Sequence, residues 1–432
     1  SVALADGGNF AFYYLLLHLW LRFDASDAYV RLMSVIPAVL SVPVMFALGR
    51  RLLGIRAGII AAFLLAISPF YIAYAQEARG YSLLMFLSIV STLFFVRCID
   101  RSQSRLDLLA YCIASVLMIY THWFGILVVA AHVSTLLALG RKQVPWRSFV
   151  FTYAVIMVTI LPLAYFARHH GLGSLAWVPP MSGGAFFGFL QDLAGGWPLL
   201  VLYAALTAYA TIDALRGPVA DRDALKLPAT LVLNWLLVPI VLAALFSALV
   251  APIFVARFLI ITLPALVLLV SYALVRIPNQ KVAAAVGTLV VALSAQALWH
   301  YYFHQPKEDW RGVAGFIAAQ GQPGDAVVTI PSWFRVPLLH AVERLPRHGQ
   351  VPTPLDTAND PTYIALDQHP RVWVVLKSGG ANSKSFHLSL AAQTAMLTNV
   401  LRTDKRLTTE RRFVAIDVRL YAGNPRKALM SH

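Results

Sequence analysis

Charge is scarce in this chain: 13% of its 432 residues are charged, against 59% hydrophobic, and the mean hydropathy is +0.68. That balance excludes an ordinary soluble domain or a disordered tail, and the repeated apolar runs of spanning length point to a polytopic α-helical membrane protein. Cysteine is scarcer still. Cys98 and Cys112 both fall in or beside expected spans, which excludes a disulfide framework and a cysteine metal pair. Acidic residues are nearly missing from the spans, with Asp107 and Asp213 close to span ends. Ion-coupled carriers keep ionisable groups or broken helices near the bilayer midplane. Here the polar chemistry gathers at one interface instead, which favours an enzyme acting on a lipid-borne headgroup. The net charge of +15 does not mark a nucleic-acid partner, because most basic residues sit in short loops where the positive-inside rule puts them. No Gly-rich phosphate loop, carboxylate pair or Ser/His/Asp set occurs in the C-terminal third, and no internal repeat is present.

Phe10 to Phe23 is apolar but falls short of the roughly 20 residues a span needs, so it reads as a helix lying in the interface. About ten spans follow, near 28–50, 57–75, 79–98, 106–121, 122–140, 147–167, 197–215, 228–250, 255–275 and 281–301. Alternate connections are rich in Arg and Lys, for example Arg50, Arg51 and Arg56, then Arg97, Arg101 and Arg105; these belong in the cytoplasm. The other set then faces outside together: Gln76 to Tyr81, Thr121-His122-Trp123, the 168–196 loop and Ala251 to Arg257. After residue 301 the composition changes to that of an extracytoplasmic α/β domain, 302–432. It contains an amphipathic helix from Asp309 to Gln320, strands at Asp325–Ile330, Arg371–Lys377 and Arg412–Ala422, and a helical period over Ser385–Leu401. The organisation is therefore 1–27 as outer loop with interfacial helix, 28–301 as transmembrane domain, and 302–432 outside.

The stretch Ser68-Pro69-Phe70-Tyr71-Ile72-Ala73-Tyr74-Ala75-Gln76-Glu77-Ala78-Arg79-Gly80-Tyr81 places an acid, a guanidinium, an amide and three tyrosines between two apolar runs. Ionisable groups at that depth are functional candidates. Arg79 offers a rigid fork of donors suited to phosphate, and Glu77 can orient it or meet a sugar hydroxyl. The alternative is a self-neutralising interfacial pair within an aromatic belt. His122, in a tight outer turn, could bind a metal, a phosphate or a hydroxyl, or be satisfied by backbone as a belt residue. Arg257, at the start of a clean span, could hold a phosphodiester or simply snorkel. His132, deeper in a span, reads as a packing residue. Adjacent His169 and His170 point in different directions, so a shared metal is not expected of them.

Taken together, Asp6-Gly7-Gly8-Asn9-Phe10-Ala11-Phe12-Tyr13-Tyr14, Ser68-Pro69-Phe70 with Gln76-Glu77-Ala78-Arg79-Gly80-Tyr81, Tyr120-Thr121-His122-Trp123-Phe124-Gly125, Ala256-Arg257-Phe258-Leu259 with Pro264, and Asp309-Trp310-Arg311 form a recognisable series. In that order they resemble the GT-C membrane glycosyltransferases of the protein O-mannosyltransferase and aminoarabinose transferase type (glycosyltransferase family 39). The resemblance implies inverting transfer of a sugar from a polyprenyl-phosphate donor to an acceptor at the outer face of a bacterial cytoplasmic membrane. The acceptor is a protein, lipid A, a glycolipid or a polysaccharide. It implies Arg79 and Arg257 on the donor phosphate, Glu77 as a catalytic carboxylate beside the acceptor, and Gln76, Tyr81, His122, Asn9 and Tyr13 around the substrate, with a divalent metal as a candidate aid. It places the lipid tail near the 168–196 loop, with Trp177 at its entry. The family's principal acidic residue precedes the segment matching Asn9 to Tyr14, which puts the principal base upstream of Ser1. The expectation is thus a chain truncated inside its first outer loop, lacking that carboxylate and on that account inactive, with Asp6 no substitute. Relatives carry His or Asn followed by Pro-Pro where Asn9-Phe10-Ala11-Phe12 stands, which leaves the helix entry less rigid. From a different class, a carrier or flippase for lipid-linked sugars is the competing reading.

Overall fold

Helix α1 (Ala11–Trp20) is ten residues long, about 15 Å at 1.5 Å per residue, half of what a hydrocarbon core requires. The computed structural model describes residues 9–99, 104–140, 145–170, 178–216, 219–304, 308–345, 369–378 and 405–423, with a few single positions between 366 and 401. The chain divides into two compact units, residues 1–301 and 302–432.

In the first unit, α1 is followed by α2 (Asp27–Leu53), α3 (Ile55–Ala66), α4 (Pro69–Ala75), α5 (Tyr81–Ile99), α6 (Arg105–Thr121), α7 (Gly125–Leu139), α8 (Trp146–His170), α9 (Gly183–Ala194), α10 (Trp197–Arg216), α11 (Val219–Leu249), a 3-10 turn (Ala256–Thr262) leading into α12 (Leu263–Arg276), and α13 (Gln280–His304). Among the described residues, seven helical segments are long and apolar enough to cross a membrane, or eight if α3 and α4 count together. The helices α6 and α7 are shorter than that but occupy the places expected of spans. One expectation needs correction: 57–75 is not one straight span but two helices bent by 56°. The break has a local cause, since Ser68 caps the second helix by accepting the Tyr71 N–H at 3.3 Å and Pro69 sits in its first turn.

Small residues let the backbones approach. A Cβ built on Gly58 would lie 2.6 Å from the Arg50 nitrogen, and one on Gly49 would lie 2.8 Å from the Gly58 Cα, so α2 and α3 touch backbone to backbone. The span leading into α12 is the most enclosed, with 94% of its apolar window buried. At one end of the bundle, charged residues pair off: Arg97 with Asp107 at 2.9 Å, and Arg276 with Asp213 at 2.7 Å. In mid-bundle, His132 stacks on Phe95 at 4.2 Å and bonds Thr92 and Tyr111, each at 3.1 Å. Its two ring nitrogens are satisfied, in agreement with its reading as a packing residue.

The second unit is built on a four-stranded sheet of β1 (Ala326–Ile330), β2 (Arg371–Lys377), β3 (Lys405–Phe413) and β4 (Ile416–Gly423), in the order β1-β2-β4-β3. β1 and β2 run parallel, and the other pairings are antiparallel. Every residue of β1 is buried because apolar side chains cover both faces, which explains its unbroken apolar run. α14 (Trp310–Gln320) is capped by Asp309, which accepts the Gly312 N–H at 2.9 Å, and with α15 (Arg335–Glu343) it covers one face. The single strand expected at Arg412–Ala422 is instead the turn and second arm of a hairpin. The chain reverses at Val414-Ala415, with Ala415 at φ 58. Most of Ser385–Leu401 lies outside the described residues.

Candidate active site

Seven aromatic side chains run in an unbroken series and join four segments far apart in sequence. Phe70 meets Tyr74 at 5.0 Å, Tyr74 meets Tyr81 at 5.4 Å, Tyr81 meets Phe10 at 5.3 Å, and Phe10 meets His122 at 5.0 Å between ring centroids. His122 then meets Phe258 at 4.7 Å, and Phe258 meets Phe124 at 5.2 Å. Most are edge-on or tilted, the arrangement a ring quadrupole prefers, each contact contributing about 0.5–1.5 kcal/mol beyond area burial. The start of α1, the α4–α5 loop, the α6–α7 turn and the 3-10 turn are therefore fixed at one end of the bundle.

Gly80 makes that convergence possible. A Cβ there would lie 2.7 Å from Phe10 Cδ1 and 3.2 Å from both Thr121 and Tyr13, so any other residue would push α1 away from the loop. Phe10 itself adopts φ 61, a left-handed conformation that a bulky residue enters at a cost of about 1–2 kcal/mol. Its ring is 7% exposed, and that burial offsets the cost.

Within the loop, the Glu77 N–H donates to the Tyr74 carbonyl at 3.3 Å and the Arg79 N–H to the Glu77 carbonyl at 2.8 Å. This tight course leaves Arg79 exposed and Gln76 and Glu77 half-buried. The Arg79 guanidinium donates to the Tyr81 hydroxyl, and the charges of Arg257 and Glu77 also reach that hydroxyl. Arg257 lies along its neighbour, its Cζ 5.7 Å from the Phe258 ring. Two guanidiniums from separate segments thus act on one phenol. Two cations acting on one point can chemically hold an anion such as a phosphate.

The remaining expected residues divide. Asn9 is half-buried beside Phe10, and its side-chain oxygen is buried without a hydrogen-bond partner. Tyr13 is fully buried and stands behind the site rather than lining it. It shares a 3.0 Å hydrogen bond with Ser34, which donates onward to the Arg79 carbonyl at 3.2 Å, so Tyr13 braces the loop through α2. His122 is likewise buried, 1% exposed; its Nδ1 accepts the Phe124 N–H at 3.1 Å, and its Nε2 is enclosed without a hydrogen-bond partner. Burial first, then the Arg257 charge, holds its pKa at about 3, so the ring is neutral. Its ring packs against Tyr81 and Phe258, with centroids at 6.3 and 4.7 Å.

No group of three His, Cys, Asp or Glu side chains placed to hold a metal occurs among the described residues. Ser1 to Gly8, Asp6 among them, lie outside the described residues. Trp177 lies outside them too, as does the His170 side chain; the His169 ring bonds the Tyr165 carbonyl at 2.8 Å, within its own helix. Asp309-Trp310-Arg311 belongs to the second unit. A cavity of about 250 Å³ between α10, α11 and α12, lined by Thr211, Lys226, Leu268 and Tyr272, is at the opposite end of the bundle from these groups.

One acidic residue near this loop that the sequence reading did not single out is Asp192. This residue sits near the end of α9, and its charge reaches the Tyr74 hydroxyl together with those of Glu77 and Arg257. Its signal is faint: one acid on an amphipathic helix just before Gly195-Gly196.

The family model described as dolichyl-phosphate-mannose-protein mannosyltransferase matches residues 10–166, from the start of α1 into α8. No curated protein matches by sequence. Among solved structures, ArnT from Cupriavidus metallidurans in the apo state is similar at a TM-score of 0.57 and 15% identity, over 95% of this chain and 88% of that one. The same protein bound to undecaprenyl phosphate is similar at a TM-score of 0.57 and 13% identity, over 96% and 88%. The archaeal oligosaccharyltransferase AglB from Archaeoglobus fulgidus, in complex with an inhibitory peptide and a dolichol-phosphate, is similar at a TM-score of 0.54 and 12% identity, over 96% of this chain and 66% of that one. The fold of this chain is the one seen in ArnT and AglB.

Proposed function

We propose that this chain is a membrane glycosyltransferase that moves a sugar from a polyprenyl-phosphate donor to an acceptor at the outer face of a bacterial cytoplasmic membrane, with residues 302–432 on that same side. The observation that carries the reading is that the charges of Arg79 and Arg257, from separate segments, both act on the Tyr81 hydroxyl. The similarity to ArnT, solved with undecaprenyl phosphate, and to AglB, solved with a dolichol-phosphate, supports a lipid phosphate as the anion. The loops rich in Arg and Lys at the other end of the bundle support the orientation.

Displacing a lipid phosphate from an anomeric carbon requires cations on the leaving oxygen and a base for the incoming nucleophile. Arg79 and Arg257 hold the phosphate, and their charge counts for most in the transition state, when the C1–O bond breaks and the phosphate gains its second negative charge. Glu77, whose charge acts on Arg79, keeps that guanidinium aimed at the phosphate. Gln76 and Tyr81 complete the polar wall, and the buried Asn9 oxygen offers an acceptor to a sugar hydroxyl.

The test is direct transfer. Purified chain incubated with a synthetic polyprenyl-phosphate sugar should release polyprenyl phosphate and glycosylate an acceptor from a cell-envelope extract, and Arg79→Ala should abolish both while the protein stays folded. Flipping of the intact lipid across vesicles without any bond cleavage would instead make the chain a carrier.

A further inference from the structure

At the Arg- and Lys-rich end of the bundle, the cavity of about 250 Å³ between α10, α11 and α12 also touches the end of α2, through Leu53. Its floor is made of buried Ala210, Pro228, Val232 and Leu268. Ala214 of α10 and Ala229 and Leu233 of α11 form its rim and are half-buried, so the space reaches the surface of the bundle between those two helices. Two polar groups on its wall are already committed. The Thr211 hydroxyl donates to the Thr207 carbonyl at 2.8 Å, and the Tyr272 hydroxyl donates at 3.1 Å to Asp213, which also holds Arg276 at 2.7 Å. Water entering such a space finds few partners, and leaving it empty forfeits the dispersion contacts of its lining. A hydrocarbon chain from the bilayer fills it at neither cost.

Lys226 supplies the other half of the site. It lines the same cavity, is exposed, and stands two residues inside the apolar span that starts at Ala224, which puts its ammonium at headgroup depth. The neighbouring spans end at Ala214 and Arg276, so the mouth of the cavity is at the membrane boundary. Among the described residues Lys226 has no ion-pair partner, while Asp213 is taken by Arg276. From Asp213 to Lys226 the sequence carries three acids and three bases. The excess of positive charge comes from α2, whose exposed Arg50 and Arg51 stand just before Leu53. A lysine that merely snorkels needs no apolar cleft beneath it. A basic rim over a cleft between spans is the arrangement that holds an anionic lipid headgroup.

We propose that this cleft binds one anionic phospholipid of the bilayer, with an acyl chain between α10, α11 and α12 and the phosphate on Lys226. The occupant is a diacyl phospholipid of the leaflet at this end of the bundle. It is not the polyprenyl-phosphate donor, because Arg79 and Arg257, the residues assigned to the donor phosphate, are at the opposite end. The bound chain joins α10 to α11 and packs beside the Tyr272, Asp213 and Arg276 group, so it stiffens the place where these helices meet. The inference needs only the spans and the cavity and does not depend on the transferase reading.

The experiment uses the full chain, purified in detergent and stripped of lipid. It measures binding of phosphatidylglycerol, phosphatidylethanolamine and undecaprenyl phosphate by native mass spectrometry, with thermal unfolding alongside. Phosphatidylglycerol should bind about fivefold more tightly than phosphatidylethanolamine, the preference one lysine gives at a headgroup, and should raise the unfolding temperature. Lys226→Ala should remove that preference, and Lys226→Arg should keep it. Ala229→Phe, whose ring fills the cavity, should lose the tight site for both phospholipids while unfolding, without lipid, at or above the wild-type temperature. If that ring overpacks the cleft and the variant does not fold, the two Lys226 variants decide. Equal affinity of the wild type for the two phospholipids overturns the inference, as does a preference that survives Lys226→Ala or full phospholipid binding by a folded Ala229→Phe. Undecaprenyl-phosphate binding that is lost in Lys226→Ala overturns it as well, by making the donor lipid the occupant.

Discussion

Ser34 of α2 donates a hydrogen bond to the backbone carbonyl of Arg79 at 3.2 Å, tying the residue assigned to the donor phosphate to a helix 45 positions earlier. The same hydroxyl is bonded to Tyr13 at 3.0 Å. The loop that carries Gln76 to Gly80 is therefore braced from behind by two side chains that no substrate reaches.

Ser34→Ala removes both bonds and leaves the Tyr13 hydroxyl buried without its partner. A stability loss of about 1–3 kcal/mol is expected, along with a looser Arg79. Steady-state kinetics should show a raised KM for the lipid donor, with kcat lowered less than tenfold. An unchanged KM with unchanged thermal unfolding would show that the brace is idle.

Gly80→Ala places a methyl group 2.7 Å from Phe10 Cδ1, a contact that neither the start of α1 nor Thr121 can relieve without moving. Overpacking of this kind costs about 1–3 kcal/mol. Because the strain falls where α1 meets the loop, activity should fall further than stability. Full activity in Gly80→Ala would mean that α1 does not need to lie against the site.

His122 supplies a pH signature of stability. Its folded pKa, about 3, lies below the ordinary histidine value, chiefly because the ring is buried and secondly because Arg257 is near. Below about pH 6.5 the unfolded chain takes up a proton that the folded ring refuses. The contribution of this residue to stability is complete above that pH and is lost progressively as pH falls toward the folded value. In detergent, the unfolding temperature should drop from pH 8 to pH 5, and His122→Phe, which keeps an aromatic ring among Phe10, Tyr81 and Phe258, should drop less. Identical drops in the two proteins would count against a buried neutral imidazole.

Much of the first unit was legible in the sequence because each ingredient carries a large energetic penalty when misplaced. Uninterrupted apolar runs can only be spans, and Glu77 and Arg79 between two of them had to lie at an interface or a site. The bend at Ser68-Pro69 was present in the sequence as a helix start signal, but the hydropathy of 57–75 is continuous across it and concealed it. The roles of Tyr13 and His122 were less legible, since a composition argument places a polar aromatic near a site without telling whether it faces inward or backward. In the second unit, the hairpin at Val414-Ala415 lacks the glycine or asparagine that usually marks such a turn, so its two arms ran together as one alternating strand.

The central claim is that Arg79 and Arg257 grip the same lipid phosphate. A double-mutant cycle on undecaprenyl-phosphate affinity tests it most directly, using the wild-type chain, Arg79→Ala, Arg257→Ala and the double variant. A shared phosphate predicts that the two losses are coupled, with the double variant departing from their sum by more than about 0.5 kcal/mol. Losses that add within that margin would place the two guanidiniums on separate ligands and contradict the site.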